Sequence, residues 1–150
     1  MHRFRYPLLL VAVVVFPASS QPPAVPKLEP IAETKLLMEG IAQPNFHGLN
    51  RALKQKPTGA DAWGFSRGQA LLIAETGNLL MMRPPKEKAA QDLWLRRSAE
   101  LREAGTSLGR AAAAKDYVSA RAGLAIVANA CNRCHESFRV PTRVVPFDGE

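Results

Sequence analysis

The sequence predicts an all-α protein, an antiparallel four-helix bundle, on three observations. Four stretches carry apolar residues at helical spacing and are separated by prolines or turn residues. No stretch alternates apolar and polar residues over a useful length, and no Asn-Gly pair marks a hairpin. Alanine is abundant while aromatic residues make up 7% of the chain, which favours helix over sheet. A length of 150 residues suits one domain, and an apolar content of 47% suffices for a packed core.

The first twenty residues read as a leader rather than as part of the fold. Arg3 and Arg5 precede an apolar run from Pro7 to Phe16, and Ala18-Ser19-Ser20 follows with the small residues of a cleavage site. Residues 1–20 are therefore expected to be a signal peptide that exports the chain to the bacterial periplasm. The apolar run is short for a bilayer span, so no stable membrane span is expected after cleavage. Residues 21–30 contain four prolines and predict an extended leader.

Residues 31–140 are expected to form the bundle. The first helix is predicted to start near Pro30, with Glu29 and Glu33 suited to a helix N-terminus, and to carry Leu37, Met38 and Ile41 inward. Pro44 is expected to break or kink it, with Phe46 to Lys54 as a continuation. The second helix opens at Thr58-Gly59-Ala60-Asp61, a start resembling a capping box, and ends at Pro84-Pro85. Ala70, Ile73, Ala74, Gly77, Leu80 and Met81 keep its 3.6-residue period. The third helix runs from about Glu87 to Ala114, its inner stripe of Ala90, Trp94, Leu101, Leu108 and Ala112 interrupted by Ser98 and Gly105. The fourth starts at the N-cap Asp116, carries Tyr117, Ala120, Leu124, Val127, Cys131, Cys134, His135 and Phe138 on one face, and is ended by Pro141. Short connections make consecutive helices antiparallel. Residues 141–150 form a tail, with Val144-Val145 and Phe147 apolar but no clear element.

Cys131-Asn132-Arg133-Cys134-His135 carries the chemistry. It is Cys-x-x-Cys-His, the pattern of covalent haem attachment. Thiols at i and i+3 on one helix face can each form a thioether to one edge of a porphyrin, and the histidine that follows presents its imidazole to the iron. A thiol–disulfide redox pair would need a strand before the Cys-x-x-Cys helix, and no strand is predicted. A structural zinc site would need a fourth good ligand, and no second cysteine pair exists. The position of the motif is informative as well. The common small cytochrome c fold has the motif near its N-terminus and a ligand methionine far downstream, but here no methionine follows Met82. Any ligand on the other side of the iron must come from upstream.

On these residues the chain resembles the class II c-type cytochromes, the cytochrome c′ family, whose motif reads Cys-x-x-Cys-His-x-x-aromatic-Arg. The matching positions are Cys131, Cys134, His135, Phe138 and Arg139. The resemblance is specific over Cys131 to Arg139 and extends in helix layout over about Ile31 to Arg139. Pro44 and the Trp63 to Arg83 segment depart from the pattern. The resemblance implies one haem c on the last helix, bound by Cys131, Cys134 and His135, with Arg139 near the proximal imidazole. In the low-spin kind a first-helix methionine ligates the iron, and Leu37-Met38 resembles that pair, which makes Met38 the candidate second ligand. An open site with no protein ligand and ligation by His47 stay open beside it. Met38 at helical spacing also suits simple core packing. Trp94 and Tyr117 are candidates to line the ring or to pack in the core, and Arg133 to meet a propionate.

The expected function is one-electron transfer by an exported monohaem cytochrome. The alternative is binding or sensing of NO or CO at a five-coordinate haem, with an apolar distal face beneath Leu37. No distal His-Arg pair near the first helix suggests an enzyme. The expected partner is a redox protein. The net charge of +7 comes from basic residues spread along the chain without interleaved aromatics, which argues against nucleic acid. Family members often dimerise through their first two helices, which implies a possible homodimer.

Overall fold

The structure is a computed structural model that describes residues 25–147. The expected signal peptide, residues 1–20, lies outside the described residues, as does the first part of the leader. The rest of the leader, residues 25–30, forms neither helix nor strand.

The described residues form an all-α four-helix bundle with no strand among them. Helix α1, residues 34–52, joins Thr34–Leu37, a π-helical turn over Met38–Ala42, and Gln43–Ala52 without a break. Helix α2 is Gly59–Met81, α3 is Lys88–Ala113 and α4 is Tyr117–Ser137. Among the described residues, no helix is long and apolar enough to cross a membrane.

Helix α1 departs from expectation twice. It begins at Thr34 rather than near Pro30, since Ile31 is exposed and an earlier start would bury nothing. It also runs through Pro44. A proline at this point lacks the N–H for the carbonyl of Gly40 and crowds that carbonyl. The widened turn just before it, in which the Gln43 N–H donates to the Met38 carbonyl, accommodates the ring without ending the helix. The buried Asn45 side chain donates to the Ile41 carbonyl at 2.6 Å in the same turn. His47 therefore sits on regular helix, not in an irregular stretch.

Helices α2 and α3 pack closest. Gly77 faces the backbone of Ser98 and Arg102, and Gly105 faces that of Ala70 and Ala74, pairings that rise along one helix as they fall along the other. Ser98 and Gly105 thus do not interrupt the inner stripe. Both lie buried at this contact, and Ser98 satisfies its hydroxyl by donating to the Trp94 carbonyl. Thr58 is the N-cap of α2 as predicted, but no capping bond from its side chain forms there. Asp116 does cap α4, accepting from the Ser119 N–H at 3.1 Å.

Helix α4 ends at Ser137, four residues before Pro141. Arg139 turns left-handed (φ 56°), the Val140 N–H donates to the His135 carbonyl and the Arg139 N–H to that of Glu136. This is a Schellman ending with arginine where glycine is usual. At the other end of α4, the Tyr117 hydroxyl and Arg121 donate to the carbonyls of Leu53 and Lys54 and pin the end of α1. Away from that point the backbones of α1 and α4 stay apart, and the site lies in the gap between them.

Candidate functional site

Between α1 and α4 lies a cavity of about 740 Å³, within the size range of cofactor pockets, roughly 300–1,000 Å³. Helix α4 gives one wall with Val127, Cys131, Cys134, His135 and Phe138. Helix α1 gives the facing wall with Met38, Ala42 and Phe46. Ile73 and Leu80 of α2 and Trp94 and Leu101 of α3 form the floor, and the tail from Val140 to Val145 covers one side.

The two cysteines and the histidine come together because they occupy adjacent positions on one helix face. Cys131 and Cys134 are half-buried and not joined to each other. Burial pushes the Cys131 thiol up to about 12, with the neighbouring Cys134 adding to it. Burial likewise raises Cys134, and Glu100 adds to the rise against the opposing charge of Arg97. Protonated thiols are poor nucleophiles, which does not suit a thiol–disulfide catalyst. Among the described residues, no three His, Cys, Asp or Glu side chains gather as a metal-ligand cluster.

His135 Nδ1 lies 2.7 Å from the carbonyl oxygen of Thr142. A carbonyl can only accept, so Nδ1 carries the proton and donates. In the neutral ring Nε2 then holds the free lone pair. These residues fit a covalently held haem on three counts: a cavity of cofactor size, two thiols on the same wall, and a histidine whose outer nitrogen is already engaged.

The remaining predicted residues divide. Met38, half-buried in the π turn, lines the same cavity as His135. His47 lines it as well but is exposed, whereas Met81 and Met82 do not line it. Leu37 is buried in the core and does not form part of the cavity wall. Arg139, at the left-handed helix ending, is exposed and does not line the cavity. Trp94 does; its indole N–H donates to the Leu80 carbonyl at 2.7 Å, and its ring meets Phe138 edge to face at 5.0 Å. Tyr117 lies at the far end of α4, away from the cavity. Arg133 turns outward and pairs with Glu100 of α3 at 3.2 Å.

Sequence reasoning missed Arg97 and the tail. Arg97 reaches the cavity edge while held by Glu100 at 2.9 Å and by Ser137 Oγ at 3.2 Å. Val144 and Phe147 pack against the core, and the apolar Val144-Val145 and Phe147 after the proline stop were the available signal. In comparisons with family models, curated proteins and solved structures, none matches this chain.

Proposed function

We propose that this chain is an exported monohaem c-type cytochrome that transfers single electrons, of the class II kind its motif resembles. The observation that carries this reading is that Cys131, Cys134 and His135 of α4 line one cavity together with Met38 of α1. Haem, when bound, supplies a one-electron iron couple. Cys131 and Cys134 would tether it through thioethers, each thiol S–H adding across one vinyl group so that the proton ends on the neighbouring vinyl carbon. His135 would ligate through Nε2, and Met38 would offer a soft thioether, which would raise the reduction potential relative to a second imidazole. Two protein ligands held on packed helices need little rearrangement when the charge on iron changes. The apolar walls of Val127, Ile73, Leu80, Phe46 and Leu101 exclude water from the ring.

Export to the periplasm rests on the pattern of residues 1–20. The partner is a redox protein with an acidic face, suited to a chain that stays basic once residues 1–20, with Arg3 and Arg5, are removed. A homodimer belongs to the same resemblance, and half-exposed Phe65 and Leu72 lie on one stripe of α2. The second reading, NO or CO binding at five-coordinate iron, draws on Ala42 and Phe46, which make much of the wall around Met38 apolar.

Pyridine haemochrome analysis of the exported protein tests the reading first, and one covalent haem per chain is the expected result. The ferric spectrum then separates the two functions. A low-spin spectrum that M38A converts to high spin supports electron transfer. High-spin ferric iron in the wild type, with rapid CO binding on reduction, supports the gas-binding reading instead. Absence of covalent haem refutes both.

A further inference from the structure

The tail after α4 returns to the site and is tied there by a residue inside the haem motif. Asn132, between the two cysteines, makes two bonds to one residue of the tail. Its Nδ2 donates to the Val144 carbonyl at 2.8 Å, and its Oδ1 accepts from the Val144 N–H at 2.8 Å. Farther on, the Phe147 N–H donates to Asn50 Oδ1 of α1 at 2.6 Å, and the Arg121 guanidinium sits 3.9 Å over the Phe147 ring. The tail thus bridges α4 to α1, and its residues Val140 to Val145 line the cavity between them.

Thr142 lies two residues before the Asn132 clamp. Residues 139–143 are exposed, so apolar burial does not fix them. The Schellman ending at Arg139 sets where the chain leaves the helix, and the Asn132–Val144 pair sets where it comes back. Between those two points the Thr142 carbonyl meets His135 Nδ1 at 2.7 Å.

We propose that Asn132 is a positioning residue that clamps the tail so that the Thr142 carbonyl holds the His135 ring in the Nδ1-protonated tautomer. The proposal rests on the assignment of His135 as an iron ligand. A histidine that donates its second N–H to a carbonyl is fixed in orientation and is a more basic ligand, which favours ferric iron. One variable position of Cys-x-x-Cys-His thereby acts on the ligand three residues away by way of the chain terminus. The same bond gives the tail a function that its own sequence does not announce.

The test compares wild-type, N132A and V144P holoproteins. V144P removes the Val144 N–H from the tail side and leaves α4 untouched, so it serves if N132A fails to accumulate folded. Two quantities are measured: amide hydrogen exchange over 142–147, and the midpoint potential of the haem. The expected result is at least tenfold faster exchange in the tail with an upward shift in potential. N132D keeps an acceptor for the Val144 N–H but loses the donor, and its tail exchange should fall between those of wild type and N132A. Faster tail exchange at an unchanged potential would overturn the proposal, because the clamp would then be merely structural. Unchanged exchange in both variants would overturn it too, because Asn132 would not hold the tail. If the wild-type protein carries no covalent haem, the proposed function fails on its own. The clamp is then judged in that haem-free protein from the ring nitrogen shifts of His135. A single Nδ1-protonated form in the wild type, becoming a tautomer mixture in N132A, supports it, and the same form in both proteins sinks it.

Discussion

The close contact of α2 and α3 predicts that one substitution changes sign between two glycines. At Gly105 an added Cβ would lie 2.7 Å from the Ala74 nitrogen, 2.9 Å from the Ala70 carbonyl oxygen and 3.0 Å from the Ala74 Cα. Relaxed contacts between carbon atoms lie near 3.5–4.0 Å, so the overlap is about 0.5–1 Å. All three neighbours are backbone atoms, and no rotamer change relieves them. The helices must separate, which costs roughly 1–3 kcal/mol as overpacking. Helix propensity returns about 1 kcal/mol on replacing glycine with alanine. G105A should therefore be neutral at best and destabilise by up to about 2 kcal/mol, a fall of up to roughly 8 °C in Tm at about 2–4 °C per kcal/mol. Gly68 lies inside α2, and a Cβ there meets nothing within 4 Å. G68A keeps the propensity gain alone, so Tm should rise by about 2–4 °C. Thermal unfolding followed by circular dichroism measures both. A G105A protein as stable as G68A would refute the close backbone approach of the two helices.

Two further outcomes follow from the helix ends and the charges. Lys115 joins α3 to α4 in the left-handed region (φ 55°), with the Asp116 N–H donating to the Ala111 carbonyl. K115G should raise stability by about 0.5–1 kcal/mol, since only glycine occupies that conformation without penalty; denaturant unfolding checks it, and a loss of stability would count against the turn. Burial by itself would raise the Glu100 carboxyl, but hydrogen bonds and charge from Arg97 and Arg133 outweigh it and hold the group below its ordinary value. A lowered carboxyl stabilises the fold fully above its unfolded pKa and stops doing so as pH falls through the folded one. The stability gap between wild type and E100Q should thus be present at neutral pH and close as pH drops below about 4.5. Because Glu100 is about one-third exposed, the gap should stay under about 1 kcal/mol and shrink with salt, and a gap that widens in acid would refute the assignment.

The bundle was legible because its signals are local. Proline pairs, the Asp116 cap and apolar stripes mark where α2, α3 and α4 begin and run, within a few residues of the bounds observed. The Cys-x-x-Cys-His motif was legible because its three residues lie in five consecutive positions. What the sequence did not reveal depends on contacts between distant segments. Arg97 reaches the cavity only because α3 packs against α4, and its neighbours in the chain read as an outer face. Asn132 looks like filler between two cysteines until Val144 lies beside it. Arg139 matches the family motif in sequence, yet the left-handed ending of α4 spends it on turning the chain.

The same limit governs α1, and it yields the sharpest functional prediction. The α1 residues lining the cavity include Thr34, Met38, Ala42, Phe46 and Asn50, each four apart. In an α-helix a four-residue step overshoots a full turn by about 40°, so four steps would drift by about 160°. Such a stripe would wind off the cavity before its end. A π turn takes up one extra residue and returns about 100°, leaving a drift of about 60°, narrow enough for one wall. The π turn over Met38–Ala42 is thus what lets Met38 and Asn50 face the same space, and Pro44, which cannot bond to the Gly40 carbonyl, is what keeps that turn from relaxing. P44A restores the missing N–H and removes the clash of the ring. Burial of Leu37 opposes the rotation, since turning the first residues by about 100° would expose a side chain whose burial is worth about 1.5–3 kcal/mol. Removing an interior proline is worth about 3 kcal/mol, enough to compete. P44A should therefore raise helix content and carry Met38 away from the cavity in a measurable fraction of molecules. If Met38 ligates the iron as proposed, that fraction should appear in the holoprotein as high-spin ferric haem beside the low-spin form, and it should grow on warming. A P44A protein with the low-spin spectrum of the wild type at all temperatures would show that Met38 reaches the iron without the help of the π turn.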